Sequence, residues 1–414
     1  GGIQPASGIP EIIFIDFPKL IPSDGSQVIG TLGFRDPDAN IVSVDFTVVK
    51  AVTFPPFSFN PNVKGKVDGI FQFLIFSQLG QQVTLQVTLL DEQGNKSPPQ
   101  QFSFIAGKRI TSRTAFLGQW GRFGLDGGQF DLPRAVAVDL AGNVYVVDTG
   151  NHRIQKFSPN QQLLAEWGSH CDLLQNSGCT DPDGEGPLEV GDGQFALPQG
   201  IAVDKAGNVY VSDFGNARIE KFDASGAFLM KWGRRGNGEG QFNQPIGVAI
   251  DEEGNVYVSD SGNDRVQKFD AAGSFLMKWG SFGAGDGQFH DPRGLALDSN
   301  GYVYVVDSGN HRVQKFSLSG AFLKKWGIPG RGDGELFLPF GVAVDSVGNV
   351  YVTDTLNHRI QKFDAGGNFI TTWGGLGQDE GLFNNPTGIA VDVDGNIYVT
   401  DSVNSRLQKF VGLE

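Results

Sequence analysis

Two patterns of apolar and polar positions divide the chain. After residue 115, short apolar runs recur in sets of four, as in PIGVAID, NVYVSD, DRVQKF and FLMKWG, each bounded by Gly, Asn, Asp or Pro. Runs of this length between turn residues predict short β-strands. Before residue 108 the runs are EIIFIDF, QVIGTLGF, IVSVDFTVV, IFQFLIF, VTLQVTLLD and QFSFIA, alternating or rich in aromatic residues. Their spacing predicts a small β-sandwich over residues 9–107. Residues 1–8 then read as an N-terminal tail, and 108–114 as a short basic linker.

The second region is a repeat. Residues 116–157 return at 228–269 and again from 275, 322 and 369, and a sixth copy spans 163–222. All six tryptophans fall in it, 47 residues apart except for one interval of 65, which marks an 18-residue insertion. Six of the seven tyrosines share one repeat position, from Tyr145 to Tyr398. Four antiparallel strands per unit fit a propeller blade, with inner, second, third and outer strands in chain order. Small residues such as Gly247 and Ala249 suit the crowded axis, and the outer-strand Trp fills the space where blades diverge. The repeat enters on an outer strand, 115–121, and ends after a third strand at Phe410. The first segment should therefore complete the last blade and close a six-bladed propeller over 115–414.

The copies DTGNHRIQKF, DSGNHRVQKF and DTLNHRIQKF, with PxGIAVDxxGNVYV, resemble the NHL repeat family over about 300 residues. The resemblance implies an all-β propeller used most often as a binding platform, with a minority of enzymes. The DEQGNKSPPQQFSF segment is similar to the last hairpin of immunoglobulin-like or fibronectin-type modules. In peptidyl-hydroxyglycine lyases of the propeller family, zinc-binding histidines occupy the slot after the inner-strand proline. Lactonase-like propellers place carboxylates around a channel metal. The slot here holds neither, so the chain is expected not to be an enzyme.

Composition narrows the class. Glycine supplies 59 of 414 residues, which suits many tight turns. The formal charge of −14 disfavours a nucleic-acid partner. No apolar run is long enough for a membrane-spanning helix, so no membrane insertion is expected, and the first residues hold no signal-like apolar core. The two cysteines, Cys171 and Cys179, lie in the insertion. A disulfide between them would staple a segment with little core and point to an oxidising compartment. A reduced pair, or zinc on His170, Cys171 and Cys179, are the alternatives.

In a repeated scaffold, residues present in every copy serve the architecture, whereas a single site should break the pattern. Asp139 and its five equivalents, mostly followed by Gly-Asn, read as turn residues. Asp148 and its equivalents precede an Arg by five residues, and a two-bond Arg fork would pin the connection between second and third strands. The pattern breaks at the mouth of the channel, where the slot after the proline holds Arg134, Gln199, Ile246, Arg293, Phe340 and Thr387. Two arginines and a glutamine beside apolar neighbours could grip a carboxylate or a sugar. The outer-to-inner loops on that rim are long, which marks it as the binding face. His152, His311 and His358 share one slot there, read as turn residues or as a metal or catalytic set. Asp181, Asp183 and Glu185, and likewise Asp36, Asp38 and Asn40, alternate like oxygen ligands of a possible calcium site; otherwise no cofactor is expected.

The sequence thus predicts a secreted or surface-exposed, bacterial-type protein, extracellular or periplasmic, in which an immunoglobulin-like module presents the propeller. The long-loop face would bind a peptide, protein or glycan. The alternatives are a structural subunit of an extracellular assembly that self-associates, and a propeller lyase or hydrolase.

Overall fold

The computed structural model describes eight strands between residues 11 and 107, Lys96, and residues 116–171, 179 and 191–411. The chain divides into two units, Gly1–Thr111 and Ser112–Glu414. In the first, Val28–Arg35 pairs between Glu11–Asp16 and Asp68–Ile75. A second sheet runs in the order Leu20–Pro22, Gln100–Gly107, Gln81–Asp91, Ile41–Lys50 and Phe57–Phe59. The tail, the linker and both calcium candidates lie outside the described residues.

The second unit is a ring of six four-stranded antiparallel sheets. Blade 1 comprises Pro133–Val138, Val144–Asp148, Arg153–Phe157 and Leu163–Trp167. Blades 2 to 5 start at Gly200, Pro245, Pro292 and Val342. Blade 6 takes Pro386–Val391, Asn396–Asp401 and Arg406–Val411 from the end of the unit, and Phe116–Trp120 from its beginning. Leu407 opposes Trp120 and Phe410 opposes Phe116, so hydrogen bonds join the two ends and leave no open ring edge. The described helices are four three-residue 3-10 turns, and no described helix is long and apolar enough to cross a membrane.

The second strands explain why the blades stack. Every residue of Val144–Asp148 is buried, because the strand is covered on both faces. Its alternation sorts side chains into two cores: Val144 and Val146 pack with Tyr398 and Leu407 of blade 6, and Tyr145 and Val147 with Ile201, Val209 and Val211 of blade 2. A strand buried on both faces reads as a continuous apolar run, as this one does. Trp120 closes the seam between the last and first blades, edge-on to Tyr398 and to Phe157.

The buried tyrosine has one polar atom to satisfy, and the aspartate at the end of the inner strand satisfies it. Tyr145 donates to Asp139 Oδ2 at 3.1 Å, while Asp139 Oδ1 accepts the Ala141 and Asn143 backbone N–H groups. The same Tyr–Asp bond recurs in the other five blades. Each aspartate therefore shapes its turn and also caps a buried phenol.

Near the axis the inner strands of blades 2 to 6 carry a glycine where blade 1 has Ala135, and at these glycines the next strand lies too close for a side chain. A β-carbon on Gly200 would land on the Ile246 carbonyl oxygen of the next blade, and one on Gly341 would meet the Thr387 carbonyl in the same way. Hydroxyls tie the same strands together: Ser212 Oγ accepts the Gly200 N–H and donates to Ile246 O at 2.6 Å.

Candidate functional site

The long-loop rim is assembled around a buried carboxylate in each blade. In blade 1, Asp148 Oδ1 accepts the Asp131 backbone N–H at 2.7 Å, and its Oδ2 accepts from Asn151, Arg153 Nε and Gln155. The expected two-bond fork is not formed. Arg153 meets Asp148 through Nε alone and turns Nη2 to the carbonyls of Asp126 and Gln129, so it fastens the outer-to-inner loop rather than only the turn beside it. The Gln129 carbonyl also accepts from Gln155 Nε2 at 2.7 Å, and the guanidinium has donors left after its bond to Asp148.

The shared histidine slot is an inter-blade latch. His152 Nδ1 accepts the Leu197 N–H at 3.0 Å, His311 Nδ1 that of Leu338 at 3.0 Å, and His358 Nδ1 that of Asn385 at 3.2 Å. In blade 3 the same slot holds Asp264, whose Oδ1 takes the Asp291 N–H at 3.0 Å. Each donor precedes the inner-strand proline and is left-handed, with φ between 45° and 55° at Leu197, Asp291, Leu338 and Asn385. That backbone state is costly for a residue with a β-carbon, and the latch helps to hold it. Burial lowers the proton affinity of His311 and His358, which keeps the accepting nitrogen free of a proton.

The left-handed residue turns the chain into the channel, and the next-but-one residue faces its mouth. The six mouth residues are not equivalent in space. Thr387 is buried, and its hydroxyl lies among the Pro133 carbonyl, Thr400 Oγ1 and Ser402 Oγ, so it belongs to the wall. Ile246 is buried as well, and Gln199 leans on the Leu197 carbonyl at 3.4 Å. Arg134, Arg293 and Phe340 converge: the guanidinium carbons lie 5.8 Å and 5.1 Å from the Phe340 ring centre. Arg293 is paired with Asp291 through Nε at 2.8 Å and Nη2 at 2.7 Å. Arg134 Nε is buried without a hydrogen-bond partner. Burial, and then the Arg293 charge, lower its proton affinity.

Below this group the channel narrows to a space of about 60 Å³ between the inner strands. Beside it, over blades 5 and 6, a pocket of about 160 Å³ is lined by Arg134, Arg293, Phe340, Leu132, Leu356 and Val403 among others. The mouth has room for a ligand group, whereas the channel has room for little more than water.

In the insertion, Cys171 and Cys179 are joined as a disulfide. With both sulfurs so used, no thiolate remains for zinc, which removes the His170, Cys171, Cys179 alternative. Among the described residues no three His, Cys, Asp or Glu side chains form a metal cradle.

One departure from the repeat escaped the sequence reading. Gln155, Gln267, Gln314, Gln361 and Gln408 occupy one buried slot, and blade 2 places Glu220 there. The signal was RIEKF against RIQKF.

The NHL repeat model matches residues 130–157, 195–222, 242–269, 289–316, 338–363 and 383–410, once per blade. The propeller is built of six NHL repeats. NHL repeat-containing protein 3 of Homo sapiens is 33% identical over 122 residues, 28% of this chain and 30% of its own length. A probable peptidyl-alpha-hydroxyglycine alpha-amidating lyase of Caenorhabditis elegans is 29% identical over 105 residues, 25% of this chain and 26% of its own. A solved structural-genomics protein of Bacteroides thetaiotaomicron, 17% identical with a TM-score of 0.52 over 99% of this chain and 100% of that one, shares the fold. The chain spans between 14% and 30% of the length of the first curated relatives it matches.

These matches correct the expectation that the chain is not an enzyme. That expectation rested on missing zinc histidines and carboxylates in one slot, yet NHL segments of similar sequence occur in the nematode lyase and in mouse peptidyl-glycine alpha-amidating monooxygenase, 31% identical over 120 residues. The residues of one slot are therefore no ground for excluding catalysis.

Proposed function

We propose that the chain is an extracellular or cell-surface binding protein, in which an immunoglobulin-like N-terminal module presents the propeller and the long-loop rim docks a peptide, protein or glycan. The observation that carries this reading is the convergence of Arg134, Arg293 and Phe340, three different side chains from three blades, on one open mouth. The rim around it exposes Phe123, Phe282, Ile328 and Leu376 on the outer-to-inner loops, apolar surface of the kind that partners cover. The disulfide supports an oxidising compartment. The charge of −14 favours partners other than nucleic acid.

The test compares capture by the immobilised chain with capture by a rim variant, Phe123→Asp with Phe282→Asp, and an opposite-rim variant, Val347→Asp with Val393→Asp. Loss confined to the rim variant supports the reading. Equal capture by all three overturns it.

A catalytic use of the same mouth is the second reading, favoured by the identity to the nematode lyase. Turnover of an α-hydroxyglycine-extended peptide, with divalent metal supplied, would support it, and no turnover would reject it.

A further inference from the structure

We infer that the mouth of the channel takes a carboxylate carrying an apolar group up to the size of a benzene ring, with the anion between the Arg134 and Arg293 guanidiniums and the apolar group in the adjoining pocket. This rests on the binding reading above and narrows its ligand.

Charge comes first. Two cations share one aromatic ring, at 5.8 Å and 5.1 Å from its centre. The side chains lining the pocket and the channel below it include both arginines and no carboxylate. Arg293 has Asp291 beside it, outside that lining. The Arg134 side chain has no ion pair or hydrogen bond among the described residues, and its Nε is buried without a partner. Two guanidiniums and one carboxylate leave one positive charge unmatched. A monoanion balances it, whereas a phosphate dianion would overshoot and face Asp291. A guanidinium offers paired, coplanar donors that match the two oxygens of a carboxylate. The Phe340 ring holds both cations by its face; Arg293 spends Nε and Nη2 on Asp291, so the donors left for an anion are its Nη1 and those of the Arg134 guanidinium.

The pocket supplies the second half of the specificity. Three hydroxyls in its wall are already engaged: Thr355 with Pro386 O at 2.8 Å, Ser402 with Pro133 O at 2.5 Å, and Thr387 with Ser402 at 2.6 Å. The remaining wall is largely apolar, with Leu132, Leu338, Leu356 and Val403. Its volume of about 160 Å³ is close to the ~150 Å³ of an apolar cavity that binds benzene.

The test is a titration of the full chain with benzoate, benzamide and phenyl phosphate, followed by calorimetry or NMR. Benzoate should bind saturably, and benzamide and phenyl phosphate about tenfold more weakly or worse, since a charge-assisted bond is lost or a second charge is left unmatched. Arg134→Gln and Arg293→Gln should each weaken benzoate about tenfold with an unchanged near-ultraviolet circular dichroism spectrum. Val403→Trp, which fills the pocket at an exposed position, should block benzoate and leave acetate binding intact. N-acetyl-leucine binding more tightly than benzoate would assign the carboxylate to a peptide end, and the reverse would assign it to a free acid. No saturable benzoate binding, benzamide binding equally well, or unchanged affinity in both arginine variants would overturn the inference. If benzoate fails while capture still depends on Phe123 and Phe282, the carboxylate inference falls and the binding reading stands.

Discussion

The Glu220 carboxylate accepts the Gly193 backbone N–H at 2.8 Å and meets Arg218 Nη2 at 2.6 Å, in the buried slot that every other blade fills with glutamine. In those blades the glutamine Nε2 donates both to the buried aspartate and to a loop carbonyl, as Gln155 does to Asp148 and Gln129. A carboxylate can donate there only if it is protonated. Burial supplies the pressure: it pushes Glu220 up to about 8, against the pull of Arg218, and Asp213 beside it up to about 6.

A pH dependence follows. An acid whose folded value is raised binds more protons folded than unfolded, so its contribution is complete below the ordinary glutamate value near 4.5 and is lost as pH rises towards 8. One such group gives a slope of at most about 1.4 kcal/mol per pH unit. Glu220→Gln should flatten thermal stability between pH 5 and 8 and raise the melting temperature at pH 8 by several degrees. A parallel shift at all pH values would show that the proton is not involved.

The histidine latches have the opposite dependence. His311 and His358 are held below the ordinary imidazole value by burial, so their contribution is present above pH 6.5 and is lost as pH falls through the lowered values. Replacing His311 by Ala should cost about 1 kcal/mol at pH 7.5, the net worth of a hydrogen bond. His311→Asp should cost less, because Asp264 already fills this role in blade 3. Chemical denaturation at pH 7.5 and pH 5.5 separates the two variants.

At Gly200 and Gly341 the inner strands leave no room for an added carbon. Gly200→Ala and Gly341→Ala drive a methyl into a carbonyl of the next blade, and each should destabilise by roughly 1–3 kcal/mol. Alanine at Gly128, which has open space around its β-position but φ of +80°, should cost only the backbone strain. Equal losses at the three sites would remove the packing argument.

The Cys171–Cys179 bridge closes a loop of sequence separation 8, worth about 2.5 kcal/mol by chain entropy. Its stem is tied to blade 2 by Cys171 N–H to Phe195 O at 2.8 Å and by Asn216 Nδ2 to Cys171 O at 2.9 Å. Substituting serine for both cysteines should increase proteolysis within the insertion while blades 3 to 5 keep their protection. Protection lost evenly around the ring would contradict a local staple.

The ring was legible because its physics is periodic. A strand covered on both faces must be apolar throughout, and one tryptophan per 47 residues marks the wide end of each wedge. The Tyr–Asp cap was half visible: the aspartates read as turn residues, but their second oxygen serves a tyrosine six residues on. The histidine partners were invisible, because a backbone N–H contributed by the next blade leaves no side-chain signature. At the mouth, the sequence showed which residues differ but not which converge. Thr387 turns into the wall because Ser402 and Thr400 supply hydroxyl partners, and Phe340 draws both arginines because it lies within reach of each.

Hydrogen exchange of the propeller, free and with its captured partner, tests the central claim most directly. Docking at the mouth predicts added protection in residues 132–136, 291–295 and 338–342, and none in the opposite turns at 139–143 and 345–349. Protection confined to those opposite turns would contradict it.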